Sequence, residues 1–113
     1  MKKKVTEVLR ELNVSPALKG YEYLRCGIMM ALEDKKLLKS ITGALYINIA
    51  KEHDETPARV ERAIRHAIET SVFNADKEAL AKYINTRFRK ELYKPTNSEY
   101  IAAIVDYIEV FMD

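Results

Sequence analysis

Residues Thr56-Pro-Ala-Arg-Val-Glu-Arg-Ala-Ile-Arg-His-Ala-Ile-Glu69 decide how this chain is read. Thr56 suits an N-cap, and Pro57 suits the first helical position, where its missing N–H costs nothing. On a 3.6-residue period Val60, Ala63, Ile64, Ala67 and Ile68 fall on one stripe. The opposite side centres on Ala58, Arg62, Arg65 and Glu69, flanked by Arg59 and His66 on one side and Glu61 on the other. Such a helix, over about 57–70, buries one side and offers guanidinium forks on the other, which suits insertion into a DNA major groove. A solvated amphipathic helix accounts for the periodicity equally well.

Just upstream, Leu38, Ile41, Leu45, Ile49 and Ala50 mark another apolar face, predicting a helix from roughly Leu37 to His53 with Gly43 as an irregularity. Asp54 to Pro57 then break the pattern with a tight polar turn that lacks glycine. Two helices so joined, over about 38–70, form a helix-turn-helix.

Outward from this pair the chain reads as helix throughout, giving an all-α bundle of about six helices in a single domain over 1–113. Val5, Val8, Leu9 and Leu12 define a first helix closed by Asn13. Ser15-Pro16 is expected to cap a second that carries Leu18, Tyr21, Leu24, Ile28 and Leu32 inward, with Gly20 and Gly27 weakening it or allowing close helix contact. A fifth helix is expected over about Asp76 to Asn85. Thr96-Asn-Ser-Glu99 is a capping-box pattern for the last, whose apolar face is Ile101, Ile104, Val105, Ile108 and Met112.

Composition narrows the function. With 113 residues, 48% of them hydrophobic, the chain can bury one compact core. No apolar run approaches the roughly 18 residues of a spanning helix, so no membrane role is expected. Cys26 is the one cysteine and cannot form an internal disulfide, which points to a reducing cytoplasm. The two histidines, His53 and His66, lie too far apart for one helix face, and neither a metal-ligand motif nor a glycine-rich phosphate loop is present. Neither an enzyme nor a cofactor is therefore expected.

The net charge of +2 is modest for a nucleic-acid binder. Within residues 42–70, Lys51, Arg59, Arg62 and Arg65 face Glu52, Asp54, Glu55, Glu61 and Glu69. Basic groups instead gather at the start (Lys2, Lys3, Lys4, Arg10, Lys19) and before the last helix (Arg87, Arg89, Lys90, Lys94). They either meet phosphates, adding salt-dependent affinity, or serve as solubilising charge.

Four ordered blocks carry a resemblance to a known family. Arg59 to Glu69 resembles the recognition-helix signature of the C-terminal effector domain of the stage-zero sporulation response regulator. Lys19-Gly-Tyr-Glu-Tyr-Leu-Arg25 with Ile28-Met-Met30 agrees as well, as do Ser40-Ile-Thr42 with Leu45-Tyr46 and Ile49-Ala-Lys51, and Lys94-Pro-Thr-Asn-Ser-Glu-Tyr-Ile101. The likeness runs from about Val14 to Ala102. Ala58 stands where the family usually has a serine that reaches a phosphate, and Ile47 where it commonly has proline. The stretch from Thr70 to Tyr93 matches poorly, and the family's aromatic residue after the recognition helix is replaced at best by Val72-Phe73.

Site expectations follow from the residues and the resemblance together. Arg62 and Arg65 are the candidates for base readout, since arginine donates bidentately to guanine. Glu61 either accepts from a cytosine amino group or orients Arg65 four residues on. The resemblance implies that Glu61, Arg62 and Arg65 all match base-contacting positions. Arg59 and His66 suit phosphate contact, with packing against the preceding helix as the alternative for His66. Lys51 and Thr56 lie near the helix N-terminus, which favours a phosphate, and Arg89, Lys90 and Lys94 are further phosphate candidates.

The resemblance also implies double-stranded DNA carrying a box like TGTCGAA, an RNA polymerase sigma subunit, and two copies in tandem on DNA as partners. No phospho-acceptor aspartate in a receiver-like context occurs, so switching by phosphorylation is expected to lie outside these residues. The rival expectation is a protein-interaction module that modulates a full-length regulator or RNA polymerase without reading DNA.

Overall fold

The computed structural model describes residues 1–84 and 94–112. Six α-helices run through them: α1 Lys2–Glu11, α2 Lys19–Glu33, α3 Tyr46–Glu52, α4 Pro57–Asn74, α5 Lys77–Tyr83 and α6 Asn97–Tyr107. The fold is all-α, and no strand occurs among the described residues. One apolar cluster joins the helices, with Leu9, Leu24, Ile28, Leu45, Ile49, Ile64, Ile101 and Ile104 fully buried.

Local chemistry explains most boundaries. The chain leaves α1 through Asn13 at φ 56°, with Val14 N–H bonded to the Leu9 carbonyl at 3.0 Å. This is a Schellman ending in which Asn takes the left-handed position usual for glycine. The helix after it starts at Lys19, not at Ser15-Pro16. The Ser15 hydroxyl accepts from Ala17 N–H at 3.3 Å and its carbonyl from Leu18 N–H at 3.2 Å, so these residues form a turn ahead of the helix. α6 begins with a complete capping box: Glu99 N–H donates to Thr96 Oγ1 at 3.1 Å and Thr96 N–H to Glu99 Oε1 at 2.8 Å.

The expected helix from Leu37 to His53 is three pieces. Lys35–Lys39 is a 3₁₀ turn capped by the Asp34 carboxylate, and Ile41–Leu45 is a π turn that leads into α3. At the junction Leu45 N–H reaches the Ser40 carbonyl at 3.1 Å, a bond spanning five residues. The wide turn still buries Ile41, Leu45, Tyr46, Ile49 and Ala50, because it rotates the later side chains back onto the core. Gly43 sits inside it, where a Cβ would lie 2.8 Å from Ser40 Oγ.

The chain then turns into α4. Asp54 holds φ 51° and Glu55 N–H bonds the Ala50 carbonyl at 2.9 Å, a second Schellman ending in which aspartate replaces the missing glycine. Thr56 caps α4 by accepting from Arg59 N–H at 3.3 Å, and Pro57 takes the first position, as read from the sequence. α4 runs on to Asn74, four residues beyond its expected end at 70.

Two flanks hold α4. On the α2 side Gly20 is pressed against it, so closely that a Cβ would stand 2.1 Å from the Ala63 carbonyl oxygen and 2.8 Å from Ala67 Cβ. At its far end the buried Ser71 hydroxyl donates to the Leu12 carbonyl at 2.6 Å and accepts from the Tyr100 hydroxyl at 2.7 Å. This ties α4 to α1 and α6 at one point.

Candidate nucleic-acid interface

The back of α4 is anchored as its stripe demands: Val60, Ile64, Ala67 and Ile68 are buried and Ala63 is half-buried. The front is therefore presented rigidly, and it carries Ala58, Arg59, Arg62, Arg65, His66 and Glu69, all exposed. His66 is among the exposed residues. Among the described residues Arg62 has no ion-pair or hydrogen-bond partner, so its five donors point outward unspent.

Arg65 differs. It forms an ion pair and hydrogen bond with Glu61, four residues earlier. The carboxylate is the more sheltered partner, with 28% of its side chain exposed against 56% for the arginine. Arg59 lies 3.6 Å from Glu55 in a looser pair across the cap. Exposed pairs of this kind contribute a few tenths of a kcal/mol to stability, so their weight is in orienting the guanidinium groups.

A groove of about 290 Å³ runs beside this face. Glu61, Arg65 and Glu69 form one wall, and the segment from Lys94 to Ser98 forms the other. Lys94 is exposed there and adds a cation across from Arg65. Of the other sequence-predicted residues, Thr56 spends its hydroxyl oxygen on the cap. Lys51 lines a separate depression with Glu33, Asp34, Asn48 and Glu52, apart from the groove. Arg89 and Lys90 lie outside the described residues. Phe73, considered as a substitute for the family's aromatic, is 89% exposed, while Val72 is half-buried.

The floor of the groove holds two residues that the sequence did not mark as functional. Asn97 Nδ2 donates to the Tyr46 hydroxyl at 2.9 Å and to the Glu61 backbone carbonyl at 3.2 Å. Burial pushes the Tyr46 hydroxyl above its usual pKa, while the bond from Asn97 pulls the other way. A signal for Asn97 exists: it stands four residues before Ile101, on the buried stripe of α6, where an unpaired amide would be costly.

The family model for the sporulation initiation factor Spo0A C terminal matches residues 5–108. The chain belongs to this family. The Spo0A C-terminal domain is the DNA-binding, helix-turn-helix effector domain of a sporulation regulator. The match spans both flanks of α4 together with the π turn, α3 and the Asp54 turn that precede it.

The Cys26 thiol is pushed up to about 11, first by burial and then by the carboxylates of Glu52 and Glu22, and so stays protonated at neutral pH. Among the described residues no helix is long and apolar enough to cross a membrane.

Proposed function

We propose that this Spo0A C-terminal domain reads double-stranded DNA in a sequence-specific way, with α4 in the major groove. The observation that carries the reading is the pair Arg62 and Arg65, one turn apart on the exposed face of a helix whose opposite face is buried at Val60, Ile64, Ala67 and Ile68. Each arginine donates to guanine O6 and N7, which is worth about 1–3 kcal/mol of discrimination per base pair. Glu61 holds Arg65 ready in the free protein and accepts from a cytosine amino group when the arginine moves onto its base.

Arg59, His66, Thr56, Lys51 and Lys94, with Arg89 and Lys90, serve the phosphates. With charge over 42–70 nearly balanced, the cations outside it, Arg89, Lys90 and Lys94, supply most of the salt-dependent grip while Arg62 and Arg65 supply selectivity. The domain acts without covalent chemistry, in the cytoplasm where the chromosome lies. Two copies in tandem and a polymerase sigma subunit complete the assembly.

The test is a fluorescent duplex carrying TGTCGAA titrated beside a scrambled duplex at physiological salt. The wild-type domain binds the box more tightly; equal affinity for both overturns the proposal in favour of a protein-interaction module. Arg65→Ala then loses discrimination at one guanine by about 1–3 kcal/mol. Lys94→Ala weakens both duplexes alike and reduces the slope of log affinity against log salt by about 1.

A further inference from the structure

We propose that Asn97 and Tyr46 are positioning residues for base recognition: they lock the rotation of α4 about its own axis at the turn from which Glu61 and Arg65 project. The inference rests on the reading of α4 as the DNA-reading helix. Asn97 acts through the Glu61 backbone carbonyl, and Tyr46 acts through Asn97.

The geometry has three parts. Asn97 is the first residue of α6 and lies inside the capping box, so its backbone is held between the Thr96 and Glu99 bonds. Its amide, on a residue only 9% exposed, donates to two different elements, the Tyr46 hydroxyl of α3 and the Glu61 carbonyl of α4. Glu61 is itself the residue whose carboxylate holds Arg65. One amide therefore connects the rigid start of α6, the first helix of the helix-turn-helix, and the candidate reading turn of the second.

Rotation is the variable that needs this control. The Gly20 contact fixes how near α4 comes to α2, but a close approach of smooth backbone does not by itself set the fine rotation of the turn that carries Glu61 and Arg65. Side chains reach about 6 Å from a helix axis. A roll of about 10° thus shifts their heads by about 1 Å, beyond the tolerance of about 0.5 Å for a productive polar contact. Directional bonds to a carbonyl oppose that roll as van der Waals contact does not.

Three variants test it by fluorescence anisotropy on the TGTCGAA and scrambled duplexes, alongside thermal melts. Asn97→Ala, which removes both bonds, lowers the ratio of box to scrambled affinity by about tenfold. Scrambled affinity and salt slope are unchanged. Tyr46→Phe removes a single oxygen and leaves the bond to Glu61, so it lowers the ratio by about threefold. It also carries the test should Asn97→Ala fail to fold. Ser71→Ala is the control, since it cuts a buried hydrogen bond of α4 remote from the readers; it lowers the melting temperature yet keeps the ratio.

A ratio preserved in the folded Asn97→Ala and Tyr46→Phe proteins overturns the proposal. So does an equal fall in Ser71→Ala, which would make the loss a consequence of stability alone. If the wild-type domain already treats the two duplexes alike, the reading of α4 itself has failed, and the inference falls with it in a distinguishable way.

Discussion

Along its α2 flank, α4 comes so near that Gly20 has no room for a side chain, whereas along its α6 flank it is joined through Asn97 beside an open groove of about 290 Å³. The first contact is backbone against backbone and non-directional. The second is made of hydrogen bonds with angular preferences. A steric contact sets distance and contributes to stability through packed area, while a directional one sets orientation with little area. The two flanks of one helix thus separate holding from aiming. Substitutions at the Gly20 contact should be felt chiefly in melting, and those at the Asn97 bonds beside the readers in selectivity.

The largest effect is expected at Gly20. In Gly20→Ala the new methyl meets the Ala63 carbonyl, an atom that cannot rotate aside, so α2 and α4 must separate. Overpacking of this kind costs about 3 kcal/mol. For a domain of this size that lowers the melting midpoint by roughly 10 °C or more. An unchanged midpoint in a thermal melt would show that the flank is not as tight as the geometry states.

Ser71→Ala comes next, at about 2 kcal/mol, because the Tyr100 hydroxyl and the Leu12 carbonyl both lose a buried partner. Chemical denaturation measures it. A loss below about 0.5 kcal/mol would mean that water or a rearranged Tyr100 replaces the serine.

How much of this was legible in sequence depended on range. The Thr56-Pro57 start of α4 and the capping box of α6 are made of bonds between residues three apart, and they read correctly. The α4 stripe read correctly too, since one uninterrupted helix carries it. The segment before α3 did not. Leu38, Ile41, Leu45 and Ile49 keep helical spacing across a 3₁₀ turn and a π turn, and periodicity alone does not separate that succession from one continuous helix. Ser15-Pro16 misled for a related reason, since serine before proline also starts a turn.

The Glu61–Arg65 alternative, left open by spacing, is a formed pair in the free domain. The Asn97 bonds join residues 51 and 36 positions apart, so no local pattern announces them. Only an amide on an otherwise apolar stripe gives them away, and its partners had to come from the fold.

The smallest predicted effect sharpens the contrast most. Asp54 sits at φ 51° in the turn between α3 and α4, a conformation that costs an L side chain more than glycine. Asp54→Gly relieves that strain but also loosens the unfolded chain, so the net gain in stability is expected to stay below about 1 kcal/mol. The informative quantity is the ratio of box to scrambled affinity, which should not change. If the α2 flank sets the distance of α4 and the α6 flank its rotation, then the turn between the helices merely connects two bodies already placed, and easing its backbone leaves the readers where they were. A fall in the ratio for Asp54→Gly, with Asn97 and Gly20 intact, would put part of the aiming in the turn and break the division between the two flanks.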